Sequence, residues 1–471
     1  MKCIRRVLVA NRSEIAVRVI RACRDLGIES VVAASEADME SLPAKMADRS
    51  VCIGPAKATE SYLRVGTIVT AALGTGADAV HPGYGFLAEQ PELPEACAQY
   101  GLIFIGPTAE NIRTMGDKVL ARKMARGLGI PVIPGSELVR DHQDAMRVAE
   151  EVGYPVLLKA AAGGGGKGMK IIEGPKDIKI IFEEASAEAR AAFGDDRIYA
   201  ERFIPNARHI EVQIIGDPLG KPLHLYERDC SLQRRYQKMV EEAPSPILSG
   251  ELRTKICGSA IRIAESVRYQ NAGTVEFILD QDRGEFYFLE MNTRIQVEHP
   301  VTEMVTGVDL VREQIRIASG EPPSFSQDEV QLRGHAIECR INAESSTEGF
   351  RPCPGLITNW IAPGGQGIRI DSHCFSGYFV PPFYDSLLAK LITVGKNRGE
   401  AVERMQDALG RFVVSGVDTT IPFHRYILQH PDYLHGGVNT RWVEDTLLKE
   451  FDASPMNSYK AVEPALRTNQ E

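Results

Sequence analysis

Residues 163–168 read Gly-Gly-Gly-Gly-Lys-Gly, with apolar runs on both sides, PVLLK ending at Lys159 and MKII starting at Met169. A run of four glycines cannot hold a helix or strand, because glycine gives up the most conformational freedom on ordering. The run is therefore a loop joining two strands. That excludes two common phosphate loops. A Walker A loop ends in Lys-Ser/Thr, and a Rossmann loop runs from a strand into a helix. A glycine loop between strands reads instead as a mobile flap whose backbone N–H groups can close on phosphates, with Lys159 adding positive charge. The competing reading is a plain linker, but linkers are seldom framed by apolar strands.

The flanks extend this unit. Ala145, Val148, Ala149 and Val152 share one helix face, as do Ile178, Ile181, Phe182 and Ala185, and RIYAERFI reads as a strand. Residues 135–203 thus run helix, strand, glycine loop, strand, helix, strand. Upstream, apolar strands at Val7–Ala10, Ser30–Ala34, Ala79–His81 and Leu102–Ile105 alternate with helical patterns such as Ala16, Val19, Ile20 and Cys23. That alternation predicts a doubly wound parallel sheet, whose ligands lie beyond the carboxyl ends of its strands. The loop His81–Phe86 follows one such end. Downstream of residue 204, strands (HIEVQIIG, GTVEFILD, EFYFLEMN, GHAIECRI, LLAKLITV) and helices near 251–268 and 399–412 come in mixed order, as in an α+β unit. The expected division is an amino-terminal domain at 1–115, a linker at 116–134, a flap subdomain at 135–203, a catalytic unit at 204–450 and a flexible tail at 451–471.

Composition narrows the function. With 54 basic and 63 acidic residues the net charge is −9, so neither nucleic acid nor an anionic membrane is the expected partner, and any anion site must be a local basic pocket. No apolar run approaches the ~20 residues of a membrane span, and no signal segment follows the first residues. Nine cysteines form no C-x-x-C pair, which reads as reduced thiols in a cytoplasmic protein.

Two carboxylates stand out. In GTVEFILD and EFYFLEMN, joined by the turn QDRG, Glu276 and Glu290 have positions summing to 566, which centres the hairpin on Arg283 within that turn. They should oppose each other on one face, with Asn292 two positions on facing the same way. Opposed carboxylates repel unless a cation separates them, and this oxygen set suits Mg²⁺ or Mn²⁺. A solvated acidic hairpin is the plainer alternative. The next stretch, Asn292–Pro300, combines Arg294, Gln296, Glu298 and His299. Such a loop can hold a small oxyanion and keep Glu298 ready as a base. Gln233–Lys238 is a second basic run, and Arg340 lies in an apolar strand, where a buried arginine needs a partner.

The blocks HPGYGFL, MGDK, GGGGKGM, ERDCSLQRR, EEAPSP, EFYFLEMNTRIQVEHPVTEMVTG and GHAIECRINAE together resemble the biotin carboxylase family of ATP-grasp enzymes, from about residue 4 to about 450. The resemblance implies a three-part ATP-grasp architecture and ATP-dependent carboxylation of biotin by bicarbonate. By it, Lys118, Lys159 and the loop Gly163, Gly164, Gly165 and Gly166 hold ATP phosphates. Met169, Glu201 and Ile204 lie at the adenine, His209 and Gln233 at the ribose, with Tyr236 beside the nucleotide. Glu276, Glu290 and Asn292 bind two divalent ions. Lys238, Arg294, Gln296, Val297 and Glu298 hold bicarbonate, with Glu298 as general base. Arg340 and Tyr84 face biotin, and Arg340 stabilises its enolate. Tyr236 stands where many relatives have His, and a tyrosine does not titrate near neutral pH without a large shift. Arg202 replaces a frequent Lys, and Ser13 a usual Gly.

Neither Lys170 nor Lys238 sits between methionines, as a biotin-bearing lysine would. About twenty residues follow the catalytic unit, too few for a carrier domain. The expectation is one homodimeric component of an acetyl-CoA, pyruvate or related carboxylase, working with a separate biotin carboxyl carrier protein and carboxyltransferase. Two rivals share part of the pattern: another ATP-grasp ligase acting on an amine, and a catalytically silent nucleotide-binding subunit.

Overall fold

The strand–helix alternation of the first hundred residues folds into a five-stranded parallel sheet in a computed structural model that describes residues 3–136, 138–161 and 168–452. The loop Gly163–Gly166 and nearly all of the expected tail lie outside the described residues. Strands β1 (Arg6–Val9), β2 (Glu29–Ala34), β3 (Arg49–Cys52), β4 (Ala79–His81) and β5 (Ile103–Phe104) lie in the order β3-β2-β1-β4-β5. The edge strand β3 has no apolar run to announce it, since Arg49, Ser50 and Cys52 are all exposed. Helix α1 (Ser13–Asp25) buries Ala16, Val19, Ile20 and Cys23 in one core with Val7 and Val9. Burying each larger aliphatic side chain stabilises by ~1.5–3 kcal/mol. Helices α2 (Val65–Thr75) and α3 (Glu92–Gln99) complete the layers.

The loop after β4 is held rigidly. His81 is buried, and its Nδ1 accepts from the Gly83 N–H at 3.0 Å. Asn11 Nδ2 donates to the Pro82 and Tyr84 carbonyls at 2.6 and 2.8 Å. Gly83 has φ 62°, and a Cβ there would meet Asn11 Nδ2 at 2.8 Å, so only glycine fits. The result fixes Tyr84 above the sheet's carboxyl end.

The stretch expected as a linker carries helix α4 (Lys118–Gly127), capped by Asp117, whose Oδ1 accepts from Val119 and Leu120 N–H. After it come helix α5 (His142–Val152), strands β6 (Val156–Ala160) and β7 (Met169–Ile172), helix α6 (Ile178–Phe193) and strand β8 (Ile198–Arg202). The three strands pair antiparallel in the order β7-β6-β8, and the helices bury Ala145, Ala149, Ile178 and Ala185 against them.

The remaining chain builds an eight-stranded sheet. Its strands are β9 (Ala207–Gly216), β10 (Pro222–Arg234), β11 (Gln237–Ala243), β12 (Asn271–Asp280), β13 (Glu285–Asn292), β14 (His335–Asn342), β15 (Ile368–Ser372) and β16 (Leu387–Gly395), ordered β13-β12-β9-β10-β11-β14-β16-β15. Helix α7 (Gly250–Ser266) packs Ile256, Ala260 and Ile263 on Val212 and Val275. Helices α8 (His299–Thr306) and α9 (Leu310–Ala318) follow the polar loop, and α10 (Arg398–Arg411) covers β14 and β16.

Two irregularities aim side chains at the site. Leu232 pairs with Val240 but Gln233 with Lys238, so Met239 is an extra residue. Met239 and Val240 both enter the core, while Lys238 lines a cavity on the opposite face. In the second, Glu276 pairs with Glu290 but Phe277 with Phe288. Phe277 and Phe288 pack together in the core, ring centroids 6.3 Å apart, and Leu289 joins Glu290 on the cavity side. The 276–290 register is the one expected from the sum of positions.

Candidate active site

A cavity of about 600 Å³ opens between the amino-terminal sheet, the β6–β8 unit and the large sheet. Every site residue expected from the sequence lines it, apart from the four glycines outside the described residues. The cavity is amphipathic. Met169, Ile204, Ile278, Leu289 and Tyr199 make an apolar end, and charged groups crowd the other.

The charged end is written by sheet register. Arg228, Glu211, Glu276 and Glu290 are direct partners across β10, β9, β12 and β13. Opposed residues share a face, so these four form one row. Glu290 meets Lys118 Nζ at 2.5 Å. Glu276 Oε1 accepts from Asn292 Nδ2 and Gln296 Nε2, both at 2.9 Å. His209 Nε2 lies 3.2 Å from Glu276 Oε2. Burial works against a charged imidazole there, yet Glu276 raises the His209 pKa to about 9. Burial likewise works against the Glu276 carboxylate, but Lys238 and His209 hold it well below the usual carboxylate range. Glu276, Glu290 and Asn292 give hard oxygen donors on one face, which fits Mg²⁺ or Mn²⁺.

Lys238 is the hub. Its ammonium lies 2.5 Å from Glu211, 3.0 Å from Glu276, 3.1 Å from the Gln296 side-chain oxygen and 2.7 Å from Glu298. Arg340 takes the other side of Glu298 at 2.9 Å and donates to Glu241 at 2.6 Å. Burial pushes Glu298 up, but Lys238 and Arg340 outweigh it, so its carboxyl sits below the ordinary value and is ionised at neutral pH. Glu241 behaves oppositely: burial dominates, and its pKa rises to about 7 despite Arg340. Glu298 is the N-cap of α8 without capping it, so its carboxylate is free to face the cavity. Arg294 donates to Glu89 at 2.9 Å and to Asn292 at 3.3 Å.

At the opposite wall Glu201 is fully buried between Lys159 and Arg122, the latter at 2.5 Å. Gln233, next to last in β10, lines the cavity. Tyr236 and Arg235 form the two-residue β10–β11 turn with φ of 64° and 48°, a left-handed pair as in a type I′ turn. Burial raises the Tyr236 pKa, so its hydroxyl stays protonated near neutral pH. Tyr84 donates to Glu14.

Several of these groups escape sequence reading. Arg122 sits on a helix in the stretch expected as a linker. Arg228 and Glu241 lie in the blocks ERDCSLQRR and EEAPSP, but no local pattern marks either as a site residue. Glu211 leaves a trace, since His209, Glu211 and Gln213 alternate through an otherwise apolar strand.

Comparison with known proteins places this geometry. The chain matches the family models "Biotin carboxylase, N-terminal domain" over residues 3–112, "Carbamoyl-phosphate synthase L chain, ATP binding domain" over 117–324 and "Biotin carboxylase C-terminal domain" over 338–445. It is 51% identical to a biotin carboxylase of Nostoc sp., over 93% of this chain and 98% of that one. It is 50% identical to a pyruvate carboxylase subunit of Methanothermobacter thermautotrophicus, covering 93% and 89%. Among solved structures, the biotin carboxylase domain dimer of Hydrogenobacter thermophilus 2-oxoglutarate carboxylase, in complex with MgADP, ADP and bicarbonate, superposes with a TM-score of 0.91 at 46% identity, covering 94% of this chain and 98% of that one. No described helix is long and apolar enough to cross a membrane.

Proposed function

The chain belongs to the biotin carboxylase family of ATP-grasp enzymes, and on that premise we propose how its cavity carries out the ATP-dependent carboxylation of biotin by bicarbonate. Nucleotide binds with its base at the apolar end, against Met169, Ile204 and Glu201, and its ribose toward His209, Gln233 and Tyr236. Lys118, Lys159 and the loop Gly163–Gly166 take the phosphates. Two divalent ions, Mg²⁺ or Mn²⁺, held by Glu276, Glu290 and Asn292, supply charge neutralisation at the transferring phosphoryl group.

Bicarbonate is held by Lys238, Arg294, Gln296 and Val297. Glu298, ionised by its two cationic neighbours, removes its proton as it attacks the phosphoryl group, a contribution of ~10²–10⁴-fold. The product, carboxyphosphate, gives CO₂ and phosphate. Arg340 then faces the ureido oxygen of biotin, beside Tyr84, and stabilises the enolate left when the released phosphate takes the N1′ proton; the nitrogen then bonds to the carbon of CO₂, giving carboxybiotin. The observation that carries this reading is Glu298 between Lys238 and Arg340 at 2.7 and 2.9 Å. A carboxylate so placed serves as a base next to a bound anion.

Biotin arrives on a carrier protein in a separate chain, and a separate carboxyltransferase consumes the carboxybiotin. The Methanothermobacter relative is named as one subunit of its carboxylase, which supports a divided enzyme, and the Hydrogenobacter dimer supports a homodimer. Nine free cysteines support a reducing cytoplasm. The test is ADP release with MgATP and bicarbonate, with and without biotin, for wild type and Glu298→Gln. Biotin-stimulated turnover that falls at least a hundredfold in the variant, with MgADP binding retained, is expected. Undiminished turnover in Glu298→Gln refutes its role as base, and turnover with an amine in place of biotin refutes the reaction.

A further inference from the structure

Behind the cavity lies a charge pair that the mechanism above does not use. Glu14, in the first turn of α1, and Lys390, in the middle of β16, have fully buried side chains. Neither lines the cavity. Lys390 Nζ lies 3.0 Å from Glu14 Oε1 and donates to the Val297 carbonyl at 2.9 Å. Asp371 is 3.9 Å away on the neighbouring strand. An ammonium has three donors; Glu14 and the Val297 carbonyl take two of them, and Asp371 adds charge from beyond hydrogen-bond reach. The same Glu14 oxygen, Oε1, accepts the hydroxyl of Tyr84, while Oε2 is buried with no hydrogen-bond partner among the described residues.

The positions matter more than the pairing. Lys390 is the register partner of both Arg340 and Asp371, so its β-carbon shares a sheet face with the arginine beside Glu298. Its bond to the Val297 carbonyl sets the plane of the Val297–Glu298 peptide, since a peptide unit is rigid. His299 Nδ1 lies 2.8 Å from the preceding carbonyl, that of Gln296. Two successive carbonyls of the anion loop are thus held from behind, leaving the Gln296 and Glu298 side chains to the cavity. Through Glu14 the same ammonium reaches the tyrosine at the biotin end. A pair that served only to glue the two domains would have no reason to end on a loop carbonyl at one side and a cavity hydroxyl at the other.

We propose that Glu14 and Lys390 are positioning residues, a buried strut that fixes the Val297 carbonyl at the bicarbonate end and the Tyr84 hydroxyl at the biotin end as one rigid unit. The inference rests on the site reading given above. Removing one member leaves a buried charge without its partner and threatens the fold, whereas removing both does not. The deciding variant is therefore Glu14→Gln/Lys390→Met, compared with each single change. ADP release is measured as a function of bicarbonate, biotin and MgATP, beside thermal unfolding. The double variant is expected to fold, with KM for bicarbonate raised at least tenfold, KM for biotin raised severalfold and KM for MgATP within threefold of wild type. A folded double variant with wild-type KM for bicarbonate and biotin overturns the proposal. So does a double variant that unfolds, or one in which all three KM values move together, because the pair then serves stability alone. Absence of biotin-dependent turnover in the wild type refutes the function itself, a result distinct from any of these.

Discussion

Replacing Arg228 with methionine removes a guanidinium with no solvent exposure and four hydrogen-bonded partners: Glu211 at 2.5 Å, Gln213 at 2.7 Å, Thr302 at 2.9 Å and Thr274 at 3.1 Å. The methionine keeps the aliphatic volume and loses every donor. Glu211 is then left with Lys238 at 2.5 Å and the more distant His209 at 3.7 Å. Breaking a buried ion pair from one side costs about 3–5 kcal/mol, most of it the unpaired partner's desolvation. With an unfolding entropy of ~2.1 cal/mol/K per residue, a chain unfolding as a whole loses about 3–5 °C in Tm, and the 117–324 segment unfolding alone about 7–11 °C. Scanning calorimetry measures this directly. Arg228→Met/Glu211→Gln removes the stranded charge as well and is expected to recover at least half of the lost Tm. It should not recover turnover, because Glu211 also holds Lys238. A loss below 1 °C in the single variant, or a double variant no more stable than the single, refutes the view that this row of charges is a coupled unit.

Glu242 carries a pH-dependent share of the stability. Burial opposes its charge, but His335 at 2.8 Å and Arg398 at 2.7 and 2.9 Å lower its pKa to about 2. A depressed carboxyl stabilises above its unfolded value of 4.5 and is lost as pH falls from there toward 2. At ~1.36 kcal/mol per unit this amounts to about 3 kcal/mol. In urea titrations between pH 3 and 6 the Glu242→Gln stability curve should be correspondingly flatter than wild type, and parallel curves contradict the assignment. Gly135→Ala acts on the nucleotide end. The new Cβ would lie 2.2 Å from the Ala200 carbonyl oxygen and 2.6 Å from Glu201 Cα. The forced shift of β8 costs ~1–3 kcal/mol, moves Glu201 and should weaken MgADP binding about tenfold by calorimetric titration, whereas unchanged affinity would rule it out.

What could be read in advance follows the range of the interaction. The Glu276–Glu290 pairing was legible because a short hairpin fixes its own register, so arithmetic on positions suffices. The flap unit was legible because its helix faces and strands are local patterns. The four-strand row was not, since β9 and β12 pair across more than sixty residues and the β9–β10 hairpin shifts register between His224 and Glu227, so neither periodicity nor arithmetic on positions states the neighbours. Lys238 stands out for its place in a basic run, yet its aim depends on the extra residue at Met239, which leaves the alternation of side chains unreadable at that point. Lys390 lies in a plain apolar strand, LLAKLITV, where a lysine looks like a solvent-facing exception. Its partners, Glu14 and the Val297 carbonyl, are far off in sequence, and one of them is main chain. Edge strand β3 was missed because exposure removes the apolar signal that reveals interior strands.

The row from Arg228 to Glu290 has a consequence for how the enzyme comes into being. Its spacing is set by main-chain hydrogen bonds between strands, and a one-residue slip of β9 would carry Glu211 to the opposite face and put an apolar neighbour in its place. The β12–β13 hairpin would still hold Glu276 opposite Glu290 in such a chain, but Arg228 and Lys238 would lose the carboxylate that lies between them. Closing the sheet in one register is therefore the step that completes the charge array.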